Sequence, residues 1–414
     1  MVRNISLLTG SSLTADNPFS RSLAELLGIS PSSRVLGKFS SGEIRCEIKD
    51  SVRGKDVFIV QTFGAGQQKD EDRVNDFLIE LLIMISACKT GSAERVTAVL
   101  PLFPYSRQSD ARWSRAGAPL GKESESAKKE KWSFESVPVT PGIAERTRGL
   151  LDLDLADGEG MYATHDCENP GPMMVLSPVG DKSKAPPPRP GYKQWMAQSG
   201  SLVADLLTCA GADRILTCDL HESTYQGFFD IPVDNLFARG LLKRYVEYNV
   251  LPECVNNNED VVVVSPDAGG AKRASAIADG LGLGFALIHK ERRRPLDRSM
   301  ATMMLVGDVK GRVCVLVDDL ADTANTITRA AKLLKREGAI RVIALLTHGI
   351  FSGDAIARIN ASALDRVVVT NTVGQGRHCE ECPKLEVLDM SPMFAEAIRR
   401  VHHGESISVL FQYD

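Results

Sequence analysis

The sequence predicts an α/β protein built from two tandem, doubly wound domains, and three observations support this. Short apolar runs such as Val261–Val264 alternate with longer stretches of helical periodicity, as expected of parallel strands covered by helices. A helix end, a glycine and a strand recur together around Gly91, Gly211 and Gly338. The 414 residues are enough for two or three domains. Because the same unit occurs in both halves, we expect two similar domains.

The composition excludes several classes of function. The chain carries 49 Lys and Arg against 53 Asp and Glu, a formal net charge of −4, so we expect neither nucleic-acid nor membrane binding. The longest apolar stretch, Phe77 to Ile85, is interrupted by Glu80 and is too short to span a bilayer. Nine cysteines, an odd number, without a basic and apolar N-terminal leader indicate a reducing compartment. We therefore expect a cytoplasmic protein.

The first half of the chain contains a long interruption of this pattern. Ile5–Leu8 and Val57–Gln61 are predicted strands of the first domain. Between about Leu120 and Lys193 the periodicity stops, and a Lys/Glu/Ser run is followed by dispersed proline and glycine. This composition predicts a largely disordered insertion on the surface of the first domain.

The segment Val313–Ile327 is the most informative part of the second half. The apolar run Val313–Val317 predicts a buried strand, and it ends in Asp318 and Asp319. A short loop, Asp322–Thr326, then opens an amphipathic helix. Free N–H groups at a helix start suit a phosphate, and the two carboxylates suit sugar hydroxyls or Mg²⁺. The segment therefore predicts a phosphorylated sugar as ligand; the alternative is that Asp322 or Thr323 only caps the helix.

Four further segments carry groups suited to binding anions or cations. Asp219-Leu-His221 places a carboxylate and an imidazole on the same side of an extended chain, where they can bind Mg²⁺ or be unrelated strand-end residues. Ser265–Arg273 is a glycine-rich loop between a strand and a helix, typical of a phosphorylated ligand. His289–Arg294 is a cationic loop suited to charge that develops in phosphoryl transfer, or a solvated basic loop. Leu102–Gln108 could hold a nucleotide through its aromatic pair and its arginine.

Together these segments resemble the ribose-phosphate diphosphokinase (PRPP synthetase) family, whose members contain two fused type I phosphoribosyltransferase-like domains. The resemblance extends from Leu7 to about Phe411 outside the insertion. It rests on several long matches in order: Phe39–Glu43, Phe103–Gln108, Asp219–His221, Gly227–Asn235, Ser265–Arg273, His289–Arg292, Val317–Thr326 and Thr347–Ser352.

The resemblance implies a reaction in which ribose 5-phosphate and ATP give 5-phosphoribosyl 1-diphosphate (PRPP) and AMP, with Mg²⁺ as cofactor. It also implies roles for individual residues. These are Lys290 and Arg292, on a mobile loop, as catalytic groups; His221 and Asp267 at the metal; Phe39, Ser41, Glu43, Arg107 and Gln108 at ATP; and Asp318, Asp319, Asp322, Thr323, Ala324, Asn325 and Thr326 at ribose 5-phosphate.

By the same resemblance, inorganic phosphate is an activator and the protein is an oligomer. The regulatory phosphate site corresponds to Ser51, Arg53, Arg115, Ser406 and Ser408, and a neighbouring subunit supplies the adenine-binding loop. The implied domains are a phosphoribosyltransferase-like domain at residues 1–236, with the insertion at about 120–193, a second at 237–398, and a C-terminal segment at 399–414 that contributes to the regulatory site.

Three departures from the family pattern leave a second interpretation open. Asn325 replaces a glycine of the phosphate loop, Ser41 stands where the family usually has asparagine, and Ser109-Asp-Ala-Arg-Trp113 lacks the family's lysines near ATP. The chain is therefore either a catalytic synthetase subunit or a regulatory subunit that works with paralogous subunits in a hetero-oligomer. A phosphoribosyltransferase that consumes PRPP would fit the loop but not two fused halves.

The insertion contains motifs that resemble kinase-recognition sequences. Arg146 to Leu153 resembles a docking motif for MAP kinases, and Thr140-Pro141 and Ser177-Pro178 resemble their target sites. Phosphate on Thr140 would add about −1.5 to −2 charges to the segment. Short motifs also arise by chance in segments of this composition, and the sequence favours that interpretation over a MAP kinase partner.

Overall fold

The computed structural model describes residues 4–13, 17–63, 74–107, 199–254, 260–291 and 302–411. These residues belong to one compact unit that excludes Trp113–Ala197. Gln108, Arg115 and Arg292 lie outside the described residues, as do the insertion at about 120–193 and its kinase-recognition motifs. The backbone of Lys290 is described, whereas its side chain is not.

The first half of the described chain is built on a five-stranded parallel sheet, here called the first sheet. Its strand order is β1-β4-β5-β6-β7, and its central strands are buried because helices cover both faces. Strands β2 and β3 form a separate antiparallel hairpin. The strands are β1 (Ile5–Thr9), β2 (Arg34–Lys38), β3 (Ile44–Ile48), β4 (Asp56–Val60), β5 (Arg95–Leu100), β6 (Arg214–Cys218) and β7 (Val233–Leu236), and the helices are α1 (Pro18–Leu27), α2 (Val74–Thr90) and α3 (Ser199–Ala210).

The second half is built on a seven-stranded sheet, here called the second sheet. In the described chain its order is β10-β9-β8-β11-β12-β13-β14, with only β10 antiparallel to its neighbour. The strands are β8 (Val261–Ser265), β9 (Gly284–Glu291), β10 (Thr302–Val306), β11 (Val313–Ala321), β12 (Arg341–Gly349), β13 (Arg366–Thr370) and β14 (Leu385–Leu388). The helices are α4 (Arg239–Tyr245), α5 (Ala271–Leu281), α6 (Asn325–Arg336), α7 (Ala355–Asn360), α8 (Gly376–Glu381) and α9 (Ser391–His403).

Irregular helical segments complete the described chain. Helix α4 continues through a π-helical turn at Val246–Val250, and short 3₁₀ helices occupy Leu251–Glu253, Ser223–Phe228 and Ile407–Phe411.

Helix α6 buries the apolar face that the sequence predicts. Ile327, Ala330, Ala331 and Leu334 are all buried and belong to one core cluster beneath the second sheet. Because these residues recur at intervals of three and four, one side of the helix packs on the sheet while the opposite side meets solvent.

The repeated unit of helix, glycine and strand is present three times, with one local difference. Gly211 and Gly338 adopt the predicted left-handed conformation, with φ of 105° and 95°. After α2 the left-handed residue is Ser92, with φ of 63°, rather than Gly91. A Cβ atom at Gly91 would lie 2.7 Å from Val52 Cγ2, so glycine is needed there for close packing instead.

Two predicted strand ends are wrong by several residues. Strand β11 continues to Ala321, so Asp318 and Asp319 lie among its last four residues rather than after the strand. Strand β9 continues to Glu291 and pairs with β10, with Lys290 opposite Met303. The sequence predicts Lys290 on a loop, but antiparallel pairing with β10 extends the strand through this residue.

Candidate active site

Two consecutive carboxylates at the end of β11 form the centre of the candidate site. Because side chains alternate along a strand, Asp318 and Asp319 point to opposite faces of the second sheet. Asp319 is buried, and its Oδ2 lies 2.6 Å from His221 Nδ1, a residue of the first half. Its Oδ1 lies 3.3 Å from Arg273 Nη1 on α5. The structure therefore brings a predicted metal-binding residue and a predicted ribose-binding residue into direct contact.

The two carboxylates have opposite shifts in pKa. Burial, and after it the nearby charges of Asp319 and Asp267, together raise the pKa of Asp318 to about 8. Burial also opposes ionisation of Asp319, but the hydrogen bond with His221 and the charge of Arg273 outweigh it and lower its pKa. The hydrogen bond with Asp319 raises the pKa of His221 above its ordinary value. The environment thus favours the ionised form of Asp319, whereas it favours the protonated form of Asp318.

The glycine-rich loop after β8 approaches the same carboxylates. Asp267 Oδ1 accepts a hydrogen bond of 3.0 Å from the backbone N–H of Gly270, and Ser265 Oγ donates one of 2.7 Å to the Asp267 carbonyl. A Cβ atom at Gly270 would lie 3.1 Å from Ser265 Oγ and 3.9 Å from Asp318 Oδ1. Asp267 is therefore held beside Asp318 by a loop whose backbone leaves little space between them.

The loop Asp322–Thr326, here called the 322–326 loop, joins β11 to α6 as predicted. It lines a cleft of about 310 Å³, together with Arg107 and the flanking residues of the strand and helix. Ala324 has the left-handed conformation, with φ of 56°, and Asn325 is the first residue of α6. Asn325, which departs from the family pattern, therefore needs no left-handed φ. Its Nδ2 instead donates a hydrogen bond of 3.1 Å to Thr323 Oγ1.

Arg107 connects the predicted ATP segment to the 322–326 loop. Its Nη1 lies 2.7 Å from Asp322 Oδ2, although the two residues are 215 positions apart in the sequence. Although burial opposes ionisation of Asp322, hydrogen bonds from Ser352 and Arg107 lower its pKa. Upstream in this segment, Phe103 packs edge-on against Tyr225 at 5.3 Å between ring centroids. Arg107, at the end of the predicted nucleotide segment, therefore lies next to the predicted sugar-phosphate site.

The other predicted site residues lie apart from this cluster in the described chain. Phe39, Ser41 and Glu43 occupy the turn between β2 and β3, where Phe39 is 52% exposed. Ser41 Oγ donates a hydrogen bond of 2.8 Å to Glu43 Oε2, and the Phe39 N–H donates to the Glu43 carbonyl. An exposed aromatic residue on a hairpin turn is available to a molecule outside the chain, as the predicted adenine loop requires.

The predicted regulatory residues form two separate groups. Ser406 and Ser408 have their hydroxyl oxygens 2.8 Å apart just after α9. Ser51 and Arg53 precede β4, and among the described residues no hydrogen bond or ion pair joins them to the two serines. A contact between the elements beside these groups links His402 Nδ1 on α9 to Asp56 Oδ2 on β4 at 2.9 Å.

The contacts of two residues at the site are not predicted from the sequence. Arg273 contacts Asp319, although the sequence marks it only as the last residue of a glycine-rich loop. Asp219, a candidate Mg²⁺ ligand by sequence, has an Oδ2 that accepts hydrogen bonds from the backbone N–H of Ala238 and from Thr347 Oγ1. No local pattern distinguishes these roles, since both partners come from distant parts of the chain.

Comparisons with known proteins show the family to which this chain belongs. A family profile described as the N-terminal domain of ribose phosphate pyrophosphokinase matches residues 8–120, and one described as the phosphoribosyl synthetase-associated domain matches residues 295–412. Over 379 residues, the chain is 48% identical to ribose-phosphate pyrophosphokinase 5 of Schizosaccharomyces pombe, covering 92% of this chain and 90% of that protein. The chain belongs to the ribose-phosphate pyrophosphokinase family.

A solved member of the family confirms the predicted fold class. The phosphoribosylpyrophosphate synthetase from Mycobacterium smegmatis matches with a TM-score of 0.69 and 32% identity, covering 97% of this chain and 100% of that one. The protein is thus an α/β pyrophosphokinase with two phosphoribosyltransferase-like domains. The predicted domain boundaries stay a prediction.

Membership of the pyrophosphokinase family also decides between the expected enzyme activity and the alternative role as a regulatory subunit. It confirms the predicted enzyme class, a transferase of nucleotide biosynthesis, and does not favour the interpretation as a regulatory subunit. Among the described residues, no helix is both long and apolar enough to cross a bilayer.

Proposed function

We propose that this chain transfers the diphosphate group of ATP to C1 of ribose 5-phosphate, giving PRPP and AMP. In this reaction the C1 oxygen forms a bond to the β-phosphorus, and the bond from that phosphorus to the oxygen bridging to the α-phosphate breaks. The C1 hydroxyl proton is released and AMP leaves. The enzyme must therefore hold two phosphorylated substrates side by side and stabilise negative charge on the transferring group.

The contact between His221 and Asp319 is the observation that carries the proposal. His221 follows β6, which pairs with the strand that precedes the predicted nucleotide segment, and Asp319 lies near the end of β11, where ribose is predicted to bind. Their separation of 2.6 Å brings the two predicted substrate sites within reach of one another. The ion pair between Arg107 and Asp322, at 2.7 Å, supports the same arrangement at a second point.

The residues assigned to ribose 5-phosphate suit that substrate. Backbone N–H groups at the start of α6, with the hydroxyls of Thr323 and Thr326, can donate hydrogen bonds to the 5-phosphate. Asp318 and Asp319 can accept hydrogen bonds from the ribose hydroxyls. Asp322, Ala324 and Asn325 complete the 322–326 loop that lines the cleft.

Cationic side chains and a divalent ion would stabilise the transferring group. By the family resemblance, Lys290 and Arg292 are assigned this catalytic role; the backbone of Lys290 lies on β9, opposite Met303 of β10. Arg107 and Gln108 would contact the phosphates of ATP. Mg²⁺, when bound, neutralises charge on the β-phosphate and lowers the barrier to attack.

The residues present fit a magnesium ion that is held largely by substrate. His221 and Asp267 are the proposed ligands. Among the described residues no group of three or more His, Cys, Asp or Glu side chains converges on one point. Mg²⁺ in phosphoryl-transfer sites is held by one or two side chains with substrate phosphates and water, so two ligands suffice.

The proposal includes an oligomer and a regulatory phosphate. Phe39, Ser41 and Glu43 would contact the adenine ring bound by a second subunit, which is the same chain or a paralogue. Inorganic phosphate would activate the enzyme by binding Ser51, Arg53, Arg115, Ser406 and Ser408. The hydrogen bond between His402 and Asp56 supports this second site, because it holds the ends of α9 and β4 together.

The decisive experiment measures AMP release from ATP by the purified chain, with ribose 5-phosphate, Mg²⁺ and inorganic phosphate present. We expect steady turnover that is lost in Lys290→Ala. Lys332→Ala is the matched control, because Lys332 lies on the exposed side of α6, and it should keep wild-type turnover. A folded chain that releases no AMP, alone or with a paralogous subunit, would contradict the proposal. Turnover that is independent of inorganic phosphate would contradict the regulatory part alone.

A further inference from the structure

Buried hydrogen bonds join the carboxyl ends of β6 and β12, which belong to different sheets. Asp219 follows β6 and is 6% exposed. Its Oδ2 accepts a hydrogen bond of 2.6 Å from Thr347 Oγ1 on β12 and one of 3.0 Å from the backbone N–H of Ala238. Thr347 is fully buried. The carboxylate oxygen of Asp219 is therefore used inside the protein, between the first and second sheets.

The hydrogen bond between Asp219 and Thr347 is here called the first tie, and a second tie, formed by His348, runs beside it. His348 Nε2 lies 3.1 Å from the Cys218 carbonyl, and His348 Nδ1 lies 2.8 Å from Thr372 Oγ1. A carbonyl oxygen only accepts, so Nε2 carries the proton. Burial lowers the pKa of His348, so the ring is neutral and its Nδ1 accepts a hydrogen bond from the Thr372 hydroxyl. The neutral ring thus connects β6 to the segment just after β13, and both of its nitrogens are hydrogen-bonded.

Both ties lie directly beside the contact between His221 and Asp319. Asp318 is paired with Leu346 and Leu320 with His348, which places Thr347 next to Asp319 on the neighbouring strand. His221 lies two residues after Asp219, in the segment that follows β6 of the first sheet. Asp219 itself has a left-handed φ of 40°, a conformation that an aspartate keeps only where its surroundings hold it. A change in the ties would therefore move His221 relative to Asp319.

We propose that Asp219, Thr347 and His348 are positioning residues that set the separation between His221 and Asp319, and that Asp219 is not a ligand of the metal or of a substrate. The kinetic effects expected from this inference rest on the proposed function. The expected change in the distance between His221 and Asp319 does not depend on it. It assigns Asp219 a different role from His221, although the two residues belong to the same short segment.

The test compares Thr347→Val with Thr347→Ser in the full-length chain. Valine has the shape of threonine but lacks the hydroxyl that donates to Asp219, whereas serine keeps it. We expect kcat of Thr347→Val to fall by about 10- to 100-fold, as for a displaced catalytic group, with KM for ATP changed little. Thr347→Ser should recover most of that loss. A crystal structure of Thr347→Val should show His221 Nδ1 and Asp319 Oδ2 farther apart than the 2.6 Å observed here.

A second variant separates positioning from metal binding. Asp219→Asn keeps an oxygen that can accept from both Thr347 and Ala238 but loses the negative charge. Positioning predicts that the Mg²⁺ concentration at half-maximal activity changes by less than about twofold, whereas loss of a metal ligand would raise it by about 10- to 100-fold. Such a rise, or wild-type kcat and an unchanged contact in Thr347→Val, would overturn the inference. If the wild-type chain shows no turnover, the proposed function fails, and the crystal structure still tests the ties.

Discussion

Replacing Gly307 with alanine should push β10 away from β9 and displace Lys290. Gly307 follows β10 with φ of 116°, a conformation that is costly for any residue with a Cβ atom. The added Cβ would lie 2.8 Å from Ala286 Cβ, 3.0 Å from Ala286 Cα and 3.2 Å from the Phe285 carbonyl oxygen. Two of these three atoms are backbone atoms of β9, so the overlap is relieved only if the two strands separate.

Gly311 provides a matched control for the magnitude. It also has a positive φ, 73°, but an added Cβ would meet no atom within 4 Å. Gly311→Ala should therefore cost only the left-handed backbone strain, about 1–2 kcal/mol. Gly307→Ala should cost about 1–3 kcal/mol more, the usual penalty for overpacking. The free energy of unfolding, measured in urea for both variants, gives this difference directly.

The same pair of variants tests the role of β9 in catalysis. Lys290 lies four residues after Ala286 on that strand and opposite Met303 of β10. We expect kcat for AMP release to fall by at least about tenfold in Gly307→Ala and to stay near wild type in Gly311→Ala. Equal free energies of unfolding for the two variants would refute the argument from strand separation. A lower stability of Gly307→Ala with unchanged kcat would refute only the link to Lys290.

Three further predictions concern titration, the core and a surface ion pair. In Mg²⁺-free protein, an NMR titration of His221 should have its midpoint above pH 6.5, and Asp319→Asn should lower that midpoint. The stabilisation that the pair of His221 and Asp319 gives to the folded protein is complete below pH 6.5 and is lost as the pH rises through the raised pKa of His221. Leu334→Ala should lower the free energy of unfolding by about 2–5 kcal/mol, because the side chain is fully buried. Lys332→Ala, at an exposed position on the same helix, should lower it by about 0.5 kcal/mol or less. Similar values for the two variants would contradict the packing assigned to α6. Arg107→Gln should cost less than about 1 kcal/mol in urea unfolding, because its ion pair with the 322–326 loop is partly exposed, yet it should raise KM for ATP; an unchanged KM would argue against the nucleotide contact.

Features that depend on neighbouring residues are predicted well from the sequence. The buried strand β11, the 322–326 loop and the amphipathic helix α6 follow one another as the periodicity of Val313–Leu334 predicts. The second sheet likewise contains the strand predicted at Val261–Val264. Local hydrophobic periodicity is sufficient for such elements, because each buries one face on the sheet beside it.

Local conformations that depend on distant packing are predicted less well. The left-handed residue of the 322–326 loop is Ala324, a residue type that does not favour this conformation. The basic sequence around Lys290 suggests a loop, but β10 returns after a further segment of chain and extends β9 by pairing with it. For β9 the deciding neighbour is not adjacent in sequence.

The sequence by itself determined the fold class, which strands carry functional groups, and the family to which the chain belongs. The tertiary structure alone decided which of those groups meet. His221 and Asp319 are 98 residues apart, and Asp219 and Thr347 are 128 apart, yet each pair is in hydrogen-bond contact. Periodicity specifies which face of an element is buried, whereas the packing of one sheet against another fixes the distances between side chains at their edges. For that reason the sequence presents Asp219 as equivalent to His221, and the structure gives the two residues different roles.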